Sequence, residues 1–157
     1  MSNEQRRLAG RYVLEERIGR GGMGEVWRGT DSVLGRQVAI KLIDLRTVPD
    51  ESGAARFERE ARATAGLSHE GGVTVHDSGV EDHTAYLVME LLPGPSLAER
   101  IAAGPVPVDE VVEVGRQVAA ALEAAHARGR VHRDIKPGNI AYAADGRVRL
   151  LDFGITQ

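Results

Sequence analysis

Asp134, Lys136 and Asn139 fall within the run Val131-His132-Arg133-Asp134-Ile135-Lys136-Pro137-Gly138-Asn139. They bring a base, a cation and a neutral oxygen donor into one short segment. A carboxylate such as Asp134 accepts a proton from a hydroxyl nucleophile. Lys136, two residues on, presents positive charge to a phosphoryl group in transfer, and Asn139, five residues after Asp134, offers an oxygen to Mg2+. Asp152-Phe153-Gly154 adds a second hard oxygen ligand for the metal and a glycine where the backbone changes direction. Upstream, Gly19-Arg20-Gly21-Gly22-Met23-Gly24-Glu25-Val26 spaces its glycines so that backbone N–H groups can approach phosphate oxygens closely. By itself this pattern is weak evidence in a chain with 19 glycines. Val38-Ala39-Ile40-Lys41 sets an ammonium beside a small residue, and Glu60 follows 19 residues later as a candidate ion-pair partner.

These groups need elements to position them. Tyr12 to Ile18 and Glu25 to Gly29 read as strands flanking the glycines. A dinucleotide fold requires a helix directly after such glycines; the strand-like Glu25-Val26-Trp27-Arg28-Gly29 favours a glycine hairpin over phosphates. A turn at Leu34-Gly35 leads to a strand over Gln37 to Ile43. Val38, Ile40 and Leu42 share one face of it. Ala39, Lys41 and Ile43 share the opposite face, which would line a cleft roofed by Val26. Pro49-Asp50 opens a helix over Glu51 to Leu67, with Phe57, Ala61 and Ala65 on one face and Glu60 on its course. Strands over Val73 to Ser78 and Ala85 to Glu90 are joined by Glu81-Asp82-His83.

Pro93-Gly94-Pro95 marks a boundary, after which helices come first. Ser96-Leu97-Ala98-Glu99 is a capping-box pattern for a short helix stopped by Gly104. Asp109 is placed to cap a longer helix with Val111, Val114, Val118, Leu122 and Ala125 on one stripe and Gly129 just past its end. Ile140 to Leu151 reads as a hairpin turning at Asp145-Gly146.

Composition limits the alternatives. The 157 residues are 42% hydrophobic and 27% charged, which suits one globular domain rather than a disordered chain. Basic and acidic side chains number 20 and 23, a net charge of −3, which argues against nucleic acid as the main partner. The lack of cysteine excludes disulfides and thiolate metal sites and suits a cytoplasmic location. No targeting or membrane segment is apparent, since charged residues break the apolar stretch from Val111 to Ala127. His69, His76, His83 and His126 lack metal-ligand spacing and read as surface or locally satisfied groups.

The four motifs, in this order, resemble those of the bacterial eukaryotic-like serine/threonine protein kinases, from about Tyr12 onward. Lys136 within His132 to Asn139 is the serine/threonine form rather than the tyrosine form. The resemblance implies an α+β, bilobal fold: an antiparallel-sheet lobe with one main helix over about 12–89, a hinge over 90–95, and an incomplete, mainly helical lobe over 96–157. It implies ATP and Mg2+ as cofactors and Ser/Thr hydroxyls of proteins as acceptors. Asp134 would be the catalytic base, Lys136 its companion, Lys41 with Glu60 the phosphate-orienting pair, and Asn139 and Asp152 the metal ligands. Gly19, Gly21 and Gly24 would cover the phosphates. Val26, Ala39 and Ala141 would sandwich adenine, Met89 would be the gatekeeper, and Glu90 and Leu92 would offer backbone groups to the base.

Two departures stand out. His69-Glu70-Gly71-Gly72-Val73 replaces the family's proline-asparagine-isoleucine type of turn, and Gly72 would remove an apolar side chain from behind the helix that carries Glu60. The family pattern also continues beyond Asp152-Phe153-Gly154 with an activation segment and further helices. The resulting expectation is a truncated catalytic domain, impaired in transfer and prone to self-association or pairing with another kinase chain. The rival reading is a non-catalytic ATP-binding or interaction module derived from a kinase.

Overall fold

The computed structural model describes residues 6–21, 24–47, 55, 57–58, 71–129 and 135–151. The chain divides into two compact units, Met1–Ala61 with Val75–Leu91 and Arg62–Thr74 with Leu92–Gln157.

The first unit is built on β1 (Arg7–Leu8), β2 (Tyr12–Gly21), β3 (Gly24–Asp31), β4 (Arg36–Asp44), β5 (Val75–Glu81) and β6 (Thr84–Glu90). They form one antiparallel sheet in the order β1-β2-β3-β4-β6-β5. Alternation along β4 decides the packing, as the sequence pattern expects. Val38, Ile40 and Leu42 point into a cluster with Leu8, Tyr12, Leu14, Tyr86 and Val88, and Trp27 lies against it. The core is therefore aliphatic with a tyrosine pair, Tyr12 and Tyr86, at 6.2 Å between ring centroids.

Side chains tie the two ends of the strand order together, which curls the sheet. The Tyr12 hydroxyl donates to Asp77 on β5 at 2.6 Å, and the Ala9 N–H donates to the Glu81 carboxylate. The turn after β3 is held by Asp31, 1% exposed, which accepts a two-pronged bond from the Arg11 guanidinium at 2.8 Å and N–H bonds from Val33 and Leu34. The Arg11 bond, with help from the two backbone N–H groups, keeps the Asp31 carboxyl well below the usual carboxylate range. The β5–β6 hairpin turns at Asp82-His83, both with positive φ (47° and 66°), the primed geometry that matches strand twist.

The second unit contains α1 (Leu97–Ala102), α2 (Val108–Ala127), β7 (Ile140–Tyr142) and β8 (Val148–Leu150). The Ser96 capping box forms as its sequence implies: the Ser96 hydroxyl accepts from the Glu99 N–H, and the Glu99 carboxylate accepts from the Ser96 N–H. Asp109 is not a cap. Pro107 occupies that position without a side-chain bond, and Asp109 lies in the first turn, where its charge favours the positive end of the helix dipole. The reason is that Pro107 presets an extended entry into Val108, so the helix begins one residue before Asp109. Val114, Ala121 and Ala125 of α2 pack on Ile140, Val148 and Leu150 of the β7–β8 hairpin, with Val118 and Leu122 partly buried beside them. Val111, at the head of the expected stripe, is 55% exposed. Gly129, past the helix end, takes φ 73°.

The segment before β5 runs along the edge of β8. Gly72 bridges Leu150 in parallel register, and the Leu150 N–H donates to the Gly71 carbonyl at 2.8 Å. Of the expected helix over Glu51 to Leu67, residues 55, 57 and 58 are helical and Phe57 is buried; the remainder, Glu60 included, lies outside the described residues.

Candidate functional site

Strand register gathers the first unit's candidate residues on one sheet face. The β3 strand starts at Gly24, paired with Gly21, so strand follows the glycines directly. That removes the helix a dinucleotide fold requires. Gly19 pairs with Val26, Val26 with Lys41, and Lys41 with Leu87. One step along, Arg28 pairs with Ala39 and Ala39 with Met89. Residues two apart on a strand share a face, so Gly19, Val26, Ala39, Lys41 and Met89 form a patch two rows deep, opposite the Val38-Ile40-Leu42 core face. Lys41 is 6% exposed, the buried cation among the described residues of this unit. A buried ammonium requires negative charge near it, and the small Ala39 leaves room for a ligand on the same strand. Glu90 falls on the alternate face, opposite Val38, so backbone groups rather than its side chain are what it can offer from this patch.

Sequence reasoning missed Ile18. A register shift between Arg17 and Gly19 leaves Ile18 as the extra residue of a bulge, and it is 50% exposed immediately before the Gly19–Val26 pair. The available signal was an aliphatic residue directly preceding the first glycine. Arg11 and Asp31 were also missed. Ion pairs with distant partners carry no periodic signature.

In the second unit, Asn139 ends a 3-10 turn over Pro137–Asn139 and is 7% exposed. Its carbonyl accepts from the Leu151 N–H at 2.8 Å, and Ile140 pairs with Leu150. The open end of the hairpin thus brings Asn139 beside the residue preceding Asp152. Ala141, the middle residue of β7, is 6% exposed, and Ser96 bridges to it. Leu92 is half-buried and Lys136 exposed. Asp134, Asp152, Glu60, His69 and the glycine-loop tip at residues 22–23 lie outside the described residues. His76, His83 and His126 are exposed, and the described residues hold no cluster of metal-ligating side chains.

A network also stabilises this unit away from the hairpin mouth. The Tyr142 hydroxyl donates to Glu110 at 2.9 Å and Arg100 donates to the same carboxylate at 3.0 Å, holding Glu110 below its ordinary range. An apolar groove of about 380 Å3 opens beside α1 and α2, lined by Leu97, Ile101, Val106, Val111 and Val114. It contains no titratable side chain and so has no means of phosphoryl chemistry.

Comparison with known proteins agrees with this geometry. The family model described as "Protein kinase domain" matches residues 12–157. The chain belongs to the protein kinase family. Serine/threonine-protein kinase PknA of Mycobacterium tuberculosis is 44% identical over 156 residues, covering 96% of this chain and 36% of its own. Serine/threonine-protein kinase PknL of the same organism is 45% identical over 151 residues, covering 96% and 38%. Probable serine/threonine-protein kinase SCO3848 of Streptomyces coelicolor is 43% identical over 160 residues, covering 98% and 24%. The chain spans 24–38% of the length of these relatives. The curled antiparallel sheet and, among the described residues, one long helix are part of the kinase domain that the chain contributes. Protein kinases in general use ATP and Mg2+ and act on protein hydroxyls. No helix among the described residues is long and apolar enough to cross a membrane.

Proposed function

We propose that the chain carries the nucleotide site of a serine/threonine protein kinase that transfers the γ-phosphate of ATP to a Ser or Thr hydroxyl. The observation that supports this most is the sheet register, which sets Gly19, Val26, Lys41 and Ala39, Met89 in adjacent rows of one face.

On this reading Gly19, Gly21 and Gly24 cover the phosphates with backbone N–H groups. Val26, Ala39 and the bulged Ile18 contact adenine from the sheet, Met89 limits the depth of the pocket, and Ala141 contacts the opposite face of the ring. Backbone groups of Glu90 and Leu92 hydrogen-bond its edge. Lys41, oriented by Glu60, holds the phosphates; its burial fits an anionic ligand. The donor set also fits a hard cation. Asn139 and Asp152 offer oxygen, and Asn139 is fixed by the Leu151 N–H. When bound, Mg2+ supplies charge that offsets the phosphates. Asp134 takes the proton from the acceptor hydroxyl, and Lys136 stands by the transferred group. The net charge of −3 and the lack of cysteine suit a cytoplasmic setting with protein substrates.

Exposure of Val108 (78%), Val112 (64%) and Val111 (55%) favours a second reading, a non-catalytic ATP-binding or interaction module. One assay separates the two: transfer of labelled phosphate from ATP to a generic protein substrate, with Asp134→Asn as the blank. Transfer lost in the blank supports the kinase reading. ATP binding without transfer favours the module.

A further inference from the structure

The segments that precede β5 and follow β6 both lie against the β7–β8 hairpin, and each does so through a glycine. Before β5, the Gly71 carbonyl accepts from the Leu150 N–H and Gly72 bridges Leu150. Gly71 has φ +89°, and a Cβ there would stand 2.7 Å from the Cβ of Ala121 on α2. After β6, the Gly94 N–H donates to the Tyr142 carbonyl and the Tyr142 N–H to the Pro95 carbonyl, each at 3.1 Å, while Ser96 bridges Ala141. A Cβ on Gly94 would stand 2.6 Å from the Tyr142 Cβ and 2.7 Å from its carbonyl oxygen.

Strands of three residues hold their register weakly alone. Here both outer edges are occupied, β8 by Gly71-Gly72 and β7 by Gly94–Ser96. The hairpin begins just after Asn139, carries Ala141 at its middle, and leads through Leu151 to Asp152.

We infer that Gly71 and Gly94 are positioning residues: their close approach to the hairpin edges sets where it presents Asn139 and Ala141. The role of those two residues rests on the kinase reading; the docking of the two glycines does not. The glycines differ in what a methyl group would meet. At Gly71 it meets the Ala121 methyl in a left-handed backbone conformation that L side chains disfavour. At Gly94 it meets a backbone carbonyl, which no trimming of Tyr142 removes.

The test uses the full 157-residue chain. Amide exchange at Leu150 and Tyr142 reads the docking, and calorimetric titration of ATP with Mg2+ reads the site. Gly71→Ala should lower protection at Leu150 by about tenfold or more. It should weaken Mg2+-ATP binding by about tenfold, since small displacements of positioned groups have large effects. Adding Ala121→Gly removes the methyl contact but not the strain of the positive φ, and should restore only part of both. Gly94→Ala should lower protection at Tyr142, and Tyr142→Ala should not restore it. Gly115→Ala, on the same helix with nothing within 4 Å of the added atom, should lower neither readout. If Gly71→Ala does not fold, Ala121→Ser meets the same contact from the helix side, and protection at Leu150 should fall there. Unchanged protection at Leu150 overturns the docking. Lost protection with full nucleotide affinity overturns the positioning role. A wild-type chain that binds no nucleotide overturns the reading of the site and the positioning role with it, while exchange still decides the docking.

Discussion

The two units bury their apolar residues in different ways. In the first, a single sheet curls so that β1, β2, β3, β4 and β6 share one core, and Val38, Ile40 and Val88 are 0% exposed. In the second, α2 covers a two-stranded hairpin with small residues, Ala121 and Ala125, while its first turns leave Val108, Val111 and Val112 in solvent. A curled sheet closes a core on itself, whereas one long helix covers only the stripe that faces its partner. The candidate lysine of each unit follows the same division. Lys41 is buried on a sheet face, and Lys136 is exposed at the hairpin mouth.

Truncations should expose this contrast most strongly. Ile40→Ala removes a fully buried side chain and should cost about 2–5 kcal/mol in urea unfolding. Val111→Ala, at an exposed position, should change stability by no more than about 0.5 kcal/mol. Comparable losses at both positions would mean that the α2 face is covered in solution.

Acid should act next, and on the first unit. Because the Asp31 carboxyl is held well below its ordinary range by Arg11, its contribution is complete above the unfolded aspartate value, about pH 4. That contribution is lost as pH falls below this value toward the depressed folded one. Asp31→Asn should therefore lower the melting temperature clearly at pH 7 and much less at pH 2. An equal loss at both pH values would show that the carboxylate charge is not what holds the turn.

Hydroxyl deletions sharpen the comparison further. Tyr12→Phe and Tyr142→Phe each remove one bond to a carboxylate and should each cost about 1 kcal/mol. At the small end, Gly115→Ala places a methyl in open space within α2 and should stabilise the chain by about 0.5–1 kcal/mol. Chemical denaturation of the single variants measures all three.

The parts legible in the sequence were those with local signatures. The β4 alternation gave the core face and the candidate face together, because a period of two admits no other division. The capping box at Ser96 and the turn at Asp145-Gly146 were equally local. The first strand was missed: Arg7-Leu8 pairs with β2 and Leu8 is 3% exposed, yet two residues carry no periodicity. The docking of Gly71-Gly72 on β8 was not legible, since a glycine pressed against a distant helix has the same sequence signature as one with nothing beside it. For the site, motif residues were readable one at a time. Their assembly into two rows, and the addition of Ile18, depended on register and a bulge that only the folded sheet defines.

The central claim is that one sheet face, through Lys41, holds the phosphates of ATP. Titration calorimetry of ATP against the chain and its Lys41→Met variant, with and without Mg2+, tests it most directly. Methionine keeps a similar apolar stem, so packing on β4 should persist while the ammonium is lost. The wild type should bind ATP more tightly with Mg2+ than without, and Lys41→Met should lose about tenfold or more in affinity while unfolding at nearly the same denaturant concentration. Equal affinity in the two folded proteins would contradict the claim.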